Sequence, residues 1–221
     1  ARITIAGFET YPVSGEFDLT IGNVPFDSSK VYADRDYSSY GFSLHNYFFA
    51  KGIDELRPGG VLAYVTSHYT LDARGEEARR YLADRANLLG AIRLPNNAFT
   101  ETANTRVVSD ILIFQKKDAI EVPETYPSWV STGTTEDGHT INQYFIDHPD
   151  MVLGDQRLTA QHGRDELTVA PREGVSLVDA LAEAVQKLEL PTDEFAHPTV
   201  FRANVEEQPP AQAQEQTENA P

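Results

Sequence analysis

Close to its start the chain reads Phe17-Asp18-Leu19-Thr20-Ile21-Gly22-Asn23-Val24-Pro25-Phe26. Phe17 to Ile21 is rich in β-forming residues and runs straight into Gly22 and Asn23, while Pro25 cannot donate to a sheet ladder, so the strand ends at a loop. A second short run, Ile3 to Ala6, has the same character and is followed by Gly7. Both read as buried strands that feed loops.

On either side of these runs the pattern continues. Tyr32 to Phe42 is polar and tyrosine-rich with no helical stripe, which marks a loop. Ser43 caps a helix to about Leu56, where Pro58-Gly59-Gly60 stops it, and Val61 to Thr66 is the next strand. Asp72 or Ala73 opens a helix to about Arg85, on which Arg74, Arg79, Arg80 and Arg85 form a solvated face with Glu76, Glu77 and Asp84. Leu88 to Leu94 and Val107 to Gln115 are strands. Alternating strands and helices predict an α/β fold with a mainly parallel sheet, its ligands lying beyond the carboxyl ends of the strands. Beyond Lys117 the chain becomes irregular, with Pro123, Pro127 and Pro149, before one amphipathic helix near 176–188. The expected organisation is therefore a sheet domain over 1–117, an acidic extension over 118–203 and a disordered Gln/Glu/Pro/Ala-rich tail over 204–221.

The net charge of −16 is unevenly placed: residues 1–117 carry 13 Lys and Arg against 14 Asp and Glu, which leaves −15 for the remainder. A surface for nucleic acid needs basic residues, so it is expected in the first part, with Lys30 and Arg35 as candidates for phosphate contacts. No run approaches the ~18 consecutive apolar residues of a membrane span, and Ala1 to Glu9 lacks a secretory pattern, which predicts a cytoplasmic protein without a membrane partner. With no cysteine, and with His45, His68, His139, His148, His162 and His197 scattered, no metal site is expected.

An Asn at the end of a strand, followed by Pro and an aromatic, has a specific chemical use. The exocyclic amine of a base donates two hydrogen bonds, which the Asn23 side-chain carbonyl and a neighbouring backbone carbonyl can accept while the ring of Phe26 stacks on the base. Two such acceptors draw the amine toward tetrahedral geometry and localise its lone pair for attack on a methyl group, without a strong base.

Gly22 to Phe26 resembles the Asn-Pro-Pro-Tyr/Phe motif of S-adenosylmethionine-dependent N6-adenine DNA methyltransferases, with Val24 in place of the first Pro. Phe49-Ala50-Lys51 and Leu56-Arg57-Pro58-Gly59-Gly60-Val61-Leu62-Ala63-Tyr64-Val65 are similar to that family's helix, turn and fifth strand. Gly90-Ala91-Ile92-Arg93-Leu94-Pro95-Asn96-Asn97-Ala98-Phe99 and Ser109-Asp110-Ile111-Leu112-Ile113-Phe114-Gln115-Lys116 are similar to its final strand pair. The resemblance spans 1–117 and looks most like the methylase part of large helicase-methylase proteins of plasmids, phages and conjugative elements. It implies catalytic roles for Asn23, Val24, Pro25 and Phe26, stacking of a flipped base between Phe26 and Phe99, and cofactor contacts from Phe8, Glu9, Gly22 and Asn23. It also implies DNA as substrate and a place in restriction-modification or mobile-element DNA modification.

The chain departs from the family at its beginning. Neither the first strand with its glycine-rich turn nor the second strand ending in an acid can be found, so a partial Rossmann-like methyltransferase sheet lacking its first two strands is expected. Such a piece is expected to be inactive alone and to act as part of a larger or split enzyme, with the cofactor-binding segment or a helicase domain as partner. Two other functions remain open: transfer to protein glutamine or RNA bases, which use similar motifs, and a non-catalytic module that binds DNA or a helicase.

Overall fold

The computed structural model describes residues 3–100, 107–161 and 164–189. The chain divides into two units, 1–191 and 192–221. The second unit, the expected tail over 204–221, His162 and His197 lie outside the described residues.

Four strands make the central sheet: β1 (Phe17–Asn23), β2 (Leu56–Ser67), β3 (Ala86–Leu94) and β4 (Ser109–Lys116), in the spatial order β1-β2-β4-β3. β1 and β2 are parallel, and β4 runs antiparallel to both β2 and β3. The fold is mixed α/β, with fewer parallel pairings than the strand and helix alternation predicts. Helix α1 (Leu44–Asp54) connects β1 to β2, and the short α2 (Tyr69–Asp72) and α3 (Glu77–Arg85) connect β2 to β3. Along β2 and β4 the side chains alternate. Leu62, Tyr64, Leu112 and Phe114 are buried on one face, where Phe49 of α1 meets the rings of Tyr64 and Phe114 at centroid distances of 5.3 and 6.1 Å.

Several sequence expectations need correction. Ile3 to Ala6 forms no strand, and Ile3 and Ile5 are almost fully exposed, because no strand among the described residues lies beside this segment to pair with it. β1 forms as expected but is not buried: it is an edge strand, and Phe17, Leu19 and Ile21 are exposed. Pro58-Gly59-Gly60 does not merely stop a helix. It lies inside β2, where the pairing with β1 slips between Phe17 and Leu19, and Gly59 takes φ 77°. Ser43 stands at the start of α1, yet its hydroxyl meets His45 Nε2 at 3.0 Å instead of a backbone amide. Arg79 is buried, not solvated, and its Nε donates to the Val130 carbonyl at 2.6 Å, whereas the Arg80–Glu76 pair at 2.8 Å is exposed as expected.

The acidic extension is more regular than its sequence suggests. It contains two antiparallel ribbons, β5 (Thr132–Thr134) with β6 (Thr140–Asn142) and β7 (Asp155–Gln161) with β8 (Arg164–Ala170), and the helices α4 (Gln143–Asp147) and α5 (Leu177–Gln186). Only α5 was expected, capped by Ser176 through the Asp179 amide. Trp129, Val130, Ile141, Phe145, Met151, Val152 and Val169 are buried in the same core as the sheet. Backbone bonds fasten the extension to the end of β3, from Leu153 to the Arg93 carbonyl and from Asn96 to the Val169 carbonyl, both at 2.8 Å.

Candidate functional site

Strand pairing brings the candidate residues to one end of the sheet. Asn23 closes β1 opposite Val65, while Ser67 of β2 and Leu94 of β3 both stand beside Ser109. The carboxyl ends of β1, β2 and β3 therefore share an edge, and the loop carrying Phe99 leaves from it. The Val24 amide donates to the Val65 carbonyl at 3.0 Å, and the Val24 side chain is buried. That anchor fixes the turn and leaves Asn23, Pro25 and Phe26 exposed. Among the described residues the Asn23 side chain makes no hydrogen bond, so its amide is available to a ligand.

Phe26 lines a cleft of about 360 Å³ together with Asp27, Ser28, His45, Ser67, His68 and Tyr69, within the size range of small-molecule sites. Val107 and Val108, from before β4, and Thr159, Leu167 and Thr168, from the β7–β8 ribbon, complete it. Asn23 and Phe99 are not among its lining residues. Phe99 is half-buried and packs against the hydrophobic core.

The cleft's polar walls are held from behind. His45 Nδ1 meets the Asp27 carbonyl at 2.9 Å; burial pushes its imidazole below the usual pKa, against the opposing pull of Asp27. Ser29 donates to the Asp27 carboxylate from its backbone, and with it holds that carboxyl below the usual carboxylate range. His68 Nδ1 lies 3.1 Å from Asp72, which lies 2.9 Å from Arg93; Arg93 in turn bonds Asp110 at 2.8 and 2.9 Å and sits 4.1 Å above the Phe145 ring. Burial pushes the Asp72 pKa up, but the Arg93 charge and the bonds from His68 and Arg93 outweigh it and hold the carboxylate ionised.

The tyrosine-rich loop covers the core and is pinned to it. Asp34 is buried and takes Lys51 Nζ at 2.7 Å and the Tyr47 hydroxyl at 2.8 Å, while Tyr37 and Tyr81 both donate to Asp54 at 2.7 Å. Tyr32 and Tyr40 remain exposed. Lys30 and Arg35 are exposed, and Lys30 lines a hollow of about 550 Å³ that shares Ser28, His45 and Tyr69 with the Phe26 cleft.

On the other side of β1, Phe8 lines a separate hollow of about 480 Å³ with Ala6, Tyr11, Leu19, Ile21 and Tyr64. Its ring stacks on Phe48 at 4.9 Å, and Lys51 Nζ lies 5.2 Å from its centroid. Glu9 is exposed and does not line this hollow, and Gly22 lies against the Tyr64 ring. The hollow beside Phe8 is partly polar, with Thr4, Thr20 and Glu55 among the rings, and the described residues offer no glycine-rich turn beside β1 that would take the carboxylate-bearing end of S-adenosylmethionine. No group of His, Asp or Glu suited to a metal ion occurs among the described residues, and no described helix is long and apolar enough to cross a membrane.

Parts of the chain are similar to known proteins. Residues 5–99 match the family model of the Eco57I restriction-modification methylase. Over 155 residues the chain is 29% identical to the Defense against restriction protein B of Escherichia phage P1, an alignment that covers 65% of this chain and 6% of that protein. Among solved structures, a modification subunit described as part of a type I restriction enzyme from Vibrio vulnificus YJ016 is 15% identical, with a TM-score of 0.42 over 77% of this chain and 41% of its own. A protein described as a class I S-adenosylmethionine-dependent methyltransferase from Listeria monocytogenes is 16% identical, with a TM-score of 0.41 over 53% of this chain and 38% of its own. The chain thus spans a small part of the phage protein and less than half of each of these structures.

Sequence reasoning singled out Phe26 but missed His45, His68, Tyr69 and the β7–β8 ribbon. His68 and Tyr69 directly follow β2, at the strand end where ligands were expected, and that position was the available signal. Nothing in the polar sequence of the ribbon marks it as a cleft wall.

Proposed function

We propose that this chain is the target-base-binding part of an S-adenosylmethionine-dependent DNA methyltransferase that modifies the N6 amine of adenine. The observation that carries the reading is Gly22 to Phe26 at the exposed carboxyl end of β1, beside a base-sized cleft, within residues that match a restriction-modification methylase family. Asn23 and the Val24 carbonyl accept the two amine hydrogens, Pro25 holds the turn, and Phe26 stacks on the extruded ring. Phe8, Gly22 and Asn23 border the cofactor, which supplies the methyl group when bound; the chain's own residues orient the amine and exclude water from it. Lys30 and Arg35 meet DNA phosphates. Restriction-modification or mobile-element DNA modification is the setting, and a cofactor-binding segment or a helicase domain is the partner.

With a cofactor-binding segment supplied in the same chain or as a second polypeptide, Asn23→Ala is expected to lower methyl transfer by about 100-fold or more, since contacts made to the transition state are worth roughly 2.7–4 kcal/mol. Cofactor affinity should stay close to that of the parent. A variant that keeps more than about a tenth of the activity removes Asn23 from the mechanism. The half-buried position of Phe99 favours a second reading, in which the acceptor is an RNA base or a protein glutamine that needs no second ring.

A further inference from the structure

We propose that Tyr69, backed by His68, is the second aromatic face of the base cleft, the place that sequence resemblance gives to Phe99. The inference rests on the reading of the cleft as a base site and names a residue that this reading does not supply. Tyr69 and Phe26 line the same cleft, and Phe99 does not. Tyr69 is 49% exposed, whereas Thr70 and Leu71, which follow it in α2, are buried.

The ring is also held in place, as a stacking platform must be. The imidazole of His68 lies beneath it, with centroids 4.0 Å apart and planes 34° from parallel. His68 cannot swing away, because its Nδ1 is held by the buried Asp72 at 3.1 Å. Asp72 is fixed in turn by Arg93, by the Asn142 amide at 2.8 Å and by its place at the end of α2. Through Arg93 and Asp110 the support reaches the end of β3 and the start of β4. A half-exposed ring on a buried ionic scaffold is pre-organised, so stacking a base on it costs little ordering entropy. Tyr69 also lines two neighbouring hollows, of about 550 and 730 Å³, and is thus common to all three spaces through which a nucleotide strand would pass.

The test measures binding by the 221-residue chain of two fluorescent oligothymidylates, one with a single central adenine and one with an abasic site in its place. Stacking on an aromatic is worth enough that Tyr69→Ala should weaken binding of the adenine strand by roughly tenfold while leaving the abasic strand unchanged. Tyr69→Leu, which keeps apolar bulk without a π-face, should behave like Tyr69→Ala, and Tyr69→Phe should keep the parent's ratio of affinities. Phe99→Ala should change that ratio less than Tyr69→Ala does. Comparing two ligands on one variant separates stacking from a general loss of fold. A parent ratio retained in both Tyr69→Ala and Tyr69→Leu overturns the proposal, as does a ratio lost in Phe99→Ala alone. Equal parent affinity for the two strands removes the base site itself, and the proposal with it.

Discussion

Arg93 sits at 0% exposure between the carboxylates of Asp72 and Asp110, and it organises the ground beneath the cleft. Burial alone would lower its pKa, yet the two carboxylates more than reverse this and hold the guanidinium charged. Arg93→Met leaves two buried acids without their counter-charge, a change that costs about 3–5 kcal/mol. Arg80→Ala breaks only the exposed Arg80–Glu76 pair, worth under about 1 kcal/mol. Denaturant unfolding of the two variants should separate them clearly; similar losses would mean that the buried cluster is not what holds this region. At this scale the end of β1 at Asn23 was legible in the sequence, because a β-forming run leads into Gly22, Asn23 and Pro25. The burial of Arg93 and Arg79 was not legible, since spacing on a strand or helix cannot reveal a carboxylate or carbonyl contributed from elsewhere in the chain.

β1 carries a conflict between its sequence and its surroundings. Its alternate residues Thr20 and Gly22 face α1, where Thr20 reaches the Gly52 carbonyl, while Phe17, Leu19 and Ile21 point to the opposite face and are exposed. The apolar run correctly predicted a strand. It could not say whether a neighbour was present, and among the described residues none pairs with the outer edge of β1. An open edge bearing apolar side chains promotes association. The 221-residue chain should therefore self-associate with rising concentration, and Leu19→Lys with Ile21→Lys should suppress this in sedimentation measurements. A chain that stays monomeric without these changes would show that the edge is covered. The β7–β8 ribbon is the converse case: Asp155-Gln156-Arg157-Leu158-Thr159 carries one apolar residue, Leu158, so no alternating apolar run is visible, and backbone pairing together with the Asn96–Thr168 hydrogen bond of 3.0 Å holds it on the cleft.

Over the whole molecule, charge and fold divide differently. The acid is concentrated beyond Lys117, as the sequence makes plain, yet part of that region packs into the core and walls the cleft. The family match ends at residue 99, before β4 and the extension, so their contribution to the site became visible only through tertiary contacts. The central claim is that the cleft presents a DNA adenine for methylation. Its most direct test incubates the chain with labelled S-adenosylmethionine, with and without a separately supplied cofactor-binding segment, in the presence of DNA, RNA and protein acceptors, and identifies the product by mass spectrometry. The account predicts N6-methyladenine in DNA when the segment is supplied and no transfer by the 221 residues alone; label on RNA, on glutamine or on cytosine would contradict it.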